Sequence, residues 1–392
     1  MKVLILTPWF PSHPEDQSGN FIFESVNALH DLGVKFQVLV IKPWIPSFMK
    51  GLHGDWARPE FDATAFNLGY PIEVTKFLSF PRNYLRALSN FLLLKLILPK
   101  IIKSVEKNGV NLLHAHTEFM GLLAKEVNRK TGLPYVVSLH GINTAKKLQT
   151  PDYQNMLKDV LNCAEKIIVV GEPLLKHFSH GVLDEKKFRL VYNGFQFIPE
   201  MLKPKSHDWP DTIKFISVSN LHEGKGIDLN ISAFAELEKS GITHWHYTIV
   251  GAGREEDNLR QQCQQFGITD KVSFLGELSH DRVLQALLAS NVFVLPSYRE
   301  AFGIVYLEAM ACGLLTMAVK GQGASAFISD DETGLLLEPQ DTSSIKASLS
   351  RIFTEPKKLQ LIAQHGQEYV LKNFRWSNHA EQLKSVYDEV GG

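Results

Sequence analysis

The sequence predicts an α/β protein made of two successive halves, each a parallel sheet covered by helices. Three observations predict it. Short apolar, β-rich runs alternate with amphipathic helical segments along nearly the whole chain, the pattern of strands buried on both faces by crossover helices. The rhythm breaks over residues 195–210, where Pro199, Pro204 and Pro210 occur, and restarts at Ile213. The 392 residues, 44% apolar and 21% charged, supply material for two cores.

In the first half, residues 3–7 read as a strand, followed by a loop containing Pro, Ser and Gly. A helix over 21–32 comes next, with Ile22, Val26 and Leu29 on one face and Gly33 placed to close its C-terminus. Residues 36–41 are the second strand, and 111–115, 134–138, 166–170 and 188–191 are later ones. The segment 84–103, rich in Leu and Ile with scattered Lys and Arg, reads as a helix buried against the sheet. Its other reading is an interfacial surface that lies against a membrane.

The second half has strands at 213–219, 245–250, 272–275, 293–295 and 315–319, and helices at 228–240, 255–266, 281–290 and 303–312. These limits set an N-terminal domain at 1–195, a linker at 196–211 and a C-terminal domain at 212–373. A last amphipathic helix occupies about 374–392, with Ser377 as its expected N-cap.

Several classes are excluded. The formal net charge of -1 gives no overall field toward nucleic acid or an anionic membrane. Cys163, Cys263 and Cys312 lie far apart without CxxC spacing, which fits reduced thiols in the cytoplasm. The opening MKVLILTPWF is too short an apolar run for a signal peptide. The longest apolar stretch, 91–98, is interrupted by Lys95 and closed by Pro99, short of the about 20 residues that a membrane span needs. The expectation is a cytoplasmic protein, with peripheral contact at the inner membrane face as an addition to it.

The most informative stretch is PSYREAFGIVYLEAMACG, residues 296–313. A strand ends at Pro296 and a helix opens near Gly303, leaving free backbone N–H groups that attract an anion. Glu300 stands just before that opening and Glu308 inside the helix. Eight helical steps place them about 12 Å apart, too far to share a proton or to act as a retaining hydrolase pair, which needs about 5–5.5 Å. The spacing suits one elongated ligand held at two places with an anion between, the shape of a nucleotide sugar. A lone pair of this kind more often solvates a surface helix.

Other residues carry two readings each. Lys225, followed by Gly226 and a helix, is a phosphate ligand or a solvated lysine at a strand–helix turn. Gly19 and Asn20 follow the first strand, where the missing Cβ lets backbone approach a phosphate or simply makes a turn. His114 and His116 share one strand face and His140 ends the next strand. A three-histidine zinc site is conceivable, but no acidic or cysteine partner has matching spacing.

The 300–313 block closely resembles the retaining glycosyltransferases of the large family four, the sucrose-synthase and mannosyltransferase-like group. Supporting residues are Lys225-Gly226 after Leu221, Gly251-Ala-Gly253, Phe274-Leu275-Gly276, Asn193-Gly194, His140-Gly141 and Thr333-Gly334-Leu335-Leu336. The resemblance covers nearly the whole chain. It implies the GT-B fold, two Rossmann-like domains facing across a deep cleft, with the C-terminal helix crossing back onto the first domain.

The resemblance also implies roles. Glu300 contacts hydroxyls of the donor sugar and Glu308 binds the ribose. Phe302, Gly303 and Ile304 present main-chain amides to the distal phosphate or sugar, and Lys225 binds the diphosphate. Leu275 and Leu278 lie near the base, and Gly19 with Asn20 lies against the phosphates. His140 sits close to the transferring sugar, as a catalytic or orienting group beside Glu300. His116 lines the acceptor side, and His114 is simply packed.

Two departures stand out. Asn220 occupies a position where an arginine is usual, which removes one cation from the leaving-group site. The run GQGASA at 321–326 replaces a common proline–glutamate pair. The implied activity is transfer of a hexose-type sugar from a nucleotide-sugar donor to a glycan, lipid-linked or small-molecule hydroxyl, in surface polysaccharide or glycolipid synthesis. Retention without a covalent intermediate and without a metal or cofactor belongs to the same expectation. The rivals are a nucleotide-sugar 2-epimerase and a non-catalytic nucleotide-sugar-binding subunit, the latter favoured by Asn220.

Overall fold

The computed structural model describes residues 1–13, 16, 19–44, 66, 68–78, 86–141, 151–179, 184–202 and 209–391. The chain divides into two compact units. One comprises Met1–Tyr192 with Trp376–Gly392, the other Asn193–Arg375.

The first unit runs β1 (Lys2–Thr7), α1 (Asn20–Asp31), β2 (Lys35–Trp44), β3 (Ile72–Leu78), α2 (Arg86–Asn108), β4 (Leu112–His116), α3 (Glu118–Thr131), β5 (Tyr135–Leu139), α4 (Pro151–Cys163), β6 (Lys166–Val169), α5 (Glu172–Ser179) and β7 (Phe188–Leu190). Its strands form one parallel sheet in the order β3-β2-β1-β4-β5-β6-β7. The central strands are apolar on both faces. Val3, Leu4, Ile5 and Leu6 are all fully buried, as a strand covered by helices on two sides requires.

Ile22, Val26 and Leu29 of α1 are buried together, as their spacing predicts, and the Gly33 N–H closes the helix onto the His30 carbonyl. The last helix of the chain, α12 (Trp376–Gly391), packs on α1. Its Ala380, Leu383, Val386 and Tyr387 join the core around β1 and β2. Each large apolar side chain buried there stabilises the unit by roughly 1.5–3 kcal/mol. Ser377 is not the N-cap of this helix: the helix begins at Trp376, so Ser377 already lies in its first turn.

The second unit contains β8 (Ile213–Val218), α6 (Ile227–Lys239), β9 (Trp245–Val250), α7 (Glu256–Phe266), β10 (Val272–Phe274), α8 (His280–Leu288), β11 (Val292–Val294), α9 (Ile304–Ala311), β12 (Leu315–Val319), β13 (Leu335–Leu337), α10 (Thr342–Thr354) and α11 (Pro356–Asn373). Its parallel order is β10-β9-β8-β11-β12-β13. Each sheet therefore starts in its middle, grows to one side and returns to the other, the doubly wound arrangement. Phe195, the last residue of the expected N-terminal domain, and Met201, within the stretch read as a linker, belong to this unit and are buried, and the Gln367 side chain donates to the Met201 carbonyl at 2.9 Å. Pro204 lies outside the described residues.

The helix expected over 84–103 is longer at its C-terminal end. α2 continues through Pro99 to Asn108, and residues 84–85 are outside the described ones. Leu93, Ile97, Leu98, Ile101 and Val105 are buried, whereas Leu96 and the lysines at 95, 100, 103 and 107 face outward. Among the described residues no helix is long and apolar enough to cross a membrane.

Candidate active site

In sheets of this order ligands collect outside the carboxyl ends of the strands, where the order reverses. That point falls between β1 and β4 in the first unit and between β8 and β11 in the second.

In the second unit, β8 delivers the chain to Asn220 and then to a short turn, Glu223–Lys225, before Gly226 opens α6. β11 delivers it to Pro296. The two loops are stitched together: the Tyr298 N–H donates to the Gly224 carbonyl at 3.1 Å, and the Ser297 hydroxyl donates to the same oxygen at 3.4 Å. This seam brings together two residues 75 positions apart. Lys225 Nζ donates to Glu300 Oε2 at 2.7 Å, with the side chains 16% and 15% exposed. At this depth the pair is neither surface decoration nor fully dry.

Gly303 caps α9 at φ +84 and supplies no side-chain cap. A Cβ at this position would stand 2.5 Å from the Tyr306 ring and 3.2 Å from Glu300 Cγ. Glycine thus lets Glu300 lie over the opening of α9, where backbone amides and the helix dipole favour negative charge. Ile304 starts the helix. The Phe302 side chain is buried against Phe327, with ring centroids 5.3 Å apart, so only its backbone is available to a ligand.

The 321–326 loop, which departs from the family pattern, is built onto Glu300. Gln322 Oε1 accepts from the Glu300 N–H at 3.2 Å, and the Gly323 N–H donates to the Glu300 carbonyl at 2.9 Å. Gln322 was not nominated from sequence.

Glu308 points out of an otherwise apolar helix and is 6% exposed. His280, the first residue of α8, donates from Nε2 to its Oε1 at 2.7 Å. The turn before α8 carries Leu275, exposed, and Leu278, half-buried. The Gly276 carbonyl accepts from the Gly251 N–H at 2.8 Å. Asn220 is exposed. Close to it, burial holds the His222 imidazole below its ordinary range, and the charges of Lys225 and Arg254 reinforce this, with Arg299 adding to it. The Arg299 Cδ lies 3.3 Å from where a Cβ on Gly224 would be. The charges of Lys225, Arg254 and Arg299 thus act on His222, two residues beyond Asn220.

In the first unit, Gly19 is the N-cap of α1 at φ +82, and a Cβ there would sit 2.7 Å from the Phe10 nitrogen. Both the conformation and the crowding demand glycine. Asn20 is the first residue of the helix. His116 ends β4, and Thr117 follows at φ 97 and ψ 157 while capping α3. A β-branched residue with positive φ is strained, and such strain gathers at functional positions.

His116 Nδ1 lies 2.8 Å from His140 Nε2, and the rings stack with an interplanar angle of 11°. Phe21 packs on His140 at 4.7 Å between centroids. Burial pushes His140 down to about 3 and lowers His116 well below the usual imidazole range. Both are neutral at pH 7, so one N–H joins the pair. Among the described residues the buried His140 Nδ1 has no hydrogen-bond partner. A buried polar atom left unpaired is costly.

His114 is fully buried, bonded to the Tyr387 hydroxyl at 2.6 Å and to Ser138 Oγ at 2.7 Å. Both its ring nitrogens are engaged, and it is a packed residue. Among the described residues no group of three His, Cys, Asp or Glu side chains could hold a metal ion.

The family model for Glycosyltransferase Family 4 matches residues 18–196, and that for Glycosyl transferases group 1 matches residues 201–369. Similar curated proteins include N-acetyl-alpha-D-glucosaminyl L-malate synthase of Bacillus anthracis, 25% identical over 74% of this chain and 78% of its own. D-inositol 3-phosphate glycosyltransferase of Rhodococcus opacus is 24% identical over 72% of this chain and 68% of its own. Among solved structures, sucrose-phosphate synthase of Thermosynechococcus elongatus superimposes with a TM-score of 0.76 at 20% identity, covering 100% of this chain and 99% of the other. HepE of Anabaena, in complex with UDP and glucose, gives 0.72 at 19% identity, covering 99% and 100%.

The two doubly wound parallel sheets match the GT-B fold of these solved structures. The chain belongs to the family-four, group 1 glycosyltransferases.

Proposed function

We propose that the protein transfers a hexose-type sugar, with retention at the anomeric carbon, from a nucleotide-sugar donor to a hydroxyl of a glycan, lipid-linked or small-molecule acceptor. The observation that carries this reading is the Lys225–Glu300 contact at the opening of α9, with Glu308 further along the same helix.

On this reading Glu300 accepts hydrogen bonds from the sugar hydroxyls and Glu308 from the ribose. The backbone amides of Phe302, Gly303 and Ile304, together with Lys225, face the diphosphate, and Leu275 and Leu278 flank the base. As the bond between anomeric carbon and phosphate oxygen breaks, negative charge grows on the departing nucleoside diphosphate. Lys225 and the α9 dipole stabilise that charge more than they stabilise the ground state, which is the condition for acceleration. The acceptor hydroxyl attacks from the face that the phosphate leaves, and the leaving phosphate takes its proton. His140 orients the transferring sugar, and Gly19 and Asn20 border the phosphates. His116 is assigned to the acceptor side. None of these steps calls on a metal or cofactor.

The relatives suggest where to begin. HepE was crystallised with UDP and glucose, so uridine diphosphate sugars come first. A similar fission-yeast protein is the gpi3 subunit of phosphatidylinositol N-acetylglucosaminyltransferase, and the Rhodococcus relative is named for inositol 3-phosphate. Lipid-linked and small polar acceptors therefore both belong in the screen. We place the protein in the cytoplasm, with the lysine-bearing outer face of α2 as its contact with anionic lipid.

Incubation with isotopically labelled nucleotide sugars and an acceptor panel tests the reading. Label in a glycoside with the donor's anomeric configuration supports it. Label in an isomerised donor points instead to an epimerase. Bound but unchanged donor with every acceptor points to the non-catalytic reading that Asn220 favours.

A further inference from the structure

Glu308 presents a physical problem that its assigned role does not solve. It lies on α9, whose neighbouring residues Tyr306, Leu307, Ala309 and Met310 are all buried. Its side chain is 8% exposed. A carboxylate at that depth needs a hydrogen-bond donor to remain charged at modest cost. The donor is His280, whose Nε2 lies 2.7 Å from Glu308 Oε1 and whose side chain is itself 18% exposed.

The place of His280 in the chain matters as much as the distance. It is the first residue of α8, two positions beyond Leu278, so it continues the turn assigned to the base. The contact ties that turn to the carboxylate assigned to the ribose. An ionised carboxylate has about four acceptor positions, and an imidazole N–H occupies one of them. With Oε1 held by His280, the carboxylate is fixed in rotation and Oε2 keeps its acceptor positions. A ribose offers two adjacent O–H donors to fill them.

We infer that His280 is a positioning residue of the donor site: it holds Glu308 Oε1 so that the carboxylate is pre-set to receive the ribose diol of a nucleoside diphosphate. The inference rests on the nucleotide-sugar reading of this site and adds a residue to it. The pre-set carboxylate binds ribose without first paying for side-chain ordering. Its effect is confined to ligands that carry the diol.

The test measures three ligands by calorimetric titration: uridine diphosphate, its 2′,3′-dideoxy analogue and inorganic pyrophosphate. The wild type is compared with His280→Ala, with His280→Gln, whose amide can still donate, and with Glu308→Gln. His280→Ala is expected to weaken uridine diphosphate about tenfold, the scale of a hydrogen bond to a charged group. The dideoxy analogue and pyrophosphate should change less than twofold, and His280→Gln should recover most of the loss. In turnover the His280→Ala defect should fall on donor KM and leave kcat within about twofold.

Equal weakening of all three ligands, or no weakening of any, in variants that melt like the wild type would overturn the positioning role and leave the nucleotide-sugar reading standing. If His280→Ala does not fold, His280→Gln and Glu308→Gln carry the comparison. A wild type that binds none of the nucleoside diphosphates, with uracil, guanine or adenine as base, would remove both.

Discussion

At the residue scale, Lys225 and Glu300 carry the account. Their ion pair shows that two positions chosen separately from sequence meet within 2.7 Å. Glu300→Gln keeps the shape and removes the charge that balances Lys225. It should lower kcat by about 100- to 1000-fold, the cost of losing one preorganised polar group at a reacting centre, with the melting temperature changed little. A steady-state assay with a donor identified as above checks it. Asn220 offers the opposite experiment. Asn220→Arg returns a cation to the loop that carries His222, whose imidazole already feels the charges of Arg254 and Arg299, and should tighten nucleoside diphosphate binding by roughly three- to tenfold. Unchanged affinity would show that the neighbouring arginines already compensate.

The sequence was informative here only in part. Glu300, Glu308 and Lys225 were legible because they sit in recognisable local patterns at a strand end and helix opening. His280 and Gln322 were not, because their roles come from which loop lies across from them. His280 has an ordinary helix-start position and Gln322 an ordinary loop position, and no spacing rule connects either to a glutamate 28 or 22 residues away.

At the scale of the element, α12 shows how one helix can complete a unit distant in sequence. Besides its apolar face, it is held by three polar contacts. His379 donates from Nδ1 to the Tyr192 carbonyl at 2.8 Å and accepts at Nε2 from the Ser25 hydroxyl at 2.8 Å. Tyr387 bonds His114 at 2.6 Å. Burial pushes His379 down to about 4, so the folded chain keeps it neutral where the unfolded chain protonates it, below about 6.5. The stability this group contributes is therefore full above pH 6.5 and is lost as pH falls toward 4. By pH 5 the loss is about 2 kcal/mol. The melting temperature should drop between pH 7.5 and pH 5, and His379→Gln should make that drop smaller, the buried His114, His116 and His140, whose pKa values are lowered too, accounting for the rest. A variant as acid-sensitive as the wild type would contradict this origin.

The elements also show what patterning misses. β3 carries Glu73 and Lys76 and lies at the edge of its sheet, so its run does not read as a buried strand. β13 is only three residues long. α10 is different: Ile345, Leu349 and Ile352 recur at helical spacing and are buried, so the sequence does carry its signal. The alternation elsewhere was readable because strands covered by helices must be apolar throughout.

At the scale of the molecule, the account divides labour between the two units. Lys225, Glu300 and Glu308, the residues proposed to hold the donor, belong to the second unit, and the paired histidines 116 and 140 to the first. His140→Ala should therefore leave nucleoside diphosphate affinity within about threefold while lowering kcat by about 100-fold or more. Parallel titration and turnover measurements check this, and a variant that loses both together would contradict the division.

The most direct test of the central claim is titration of nucleoside diphosphates, uridine diphosphate first, into the wild type and Lys225→Ala. The account predicts saturable one-site binding by the wild type, weakened at least tenfold in the variant. Equal affinity of the two proteins, with the variant folded as the wild type is, would show that the diphosphate does not sit at the Lys225–Glu300 pair.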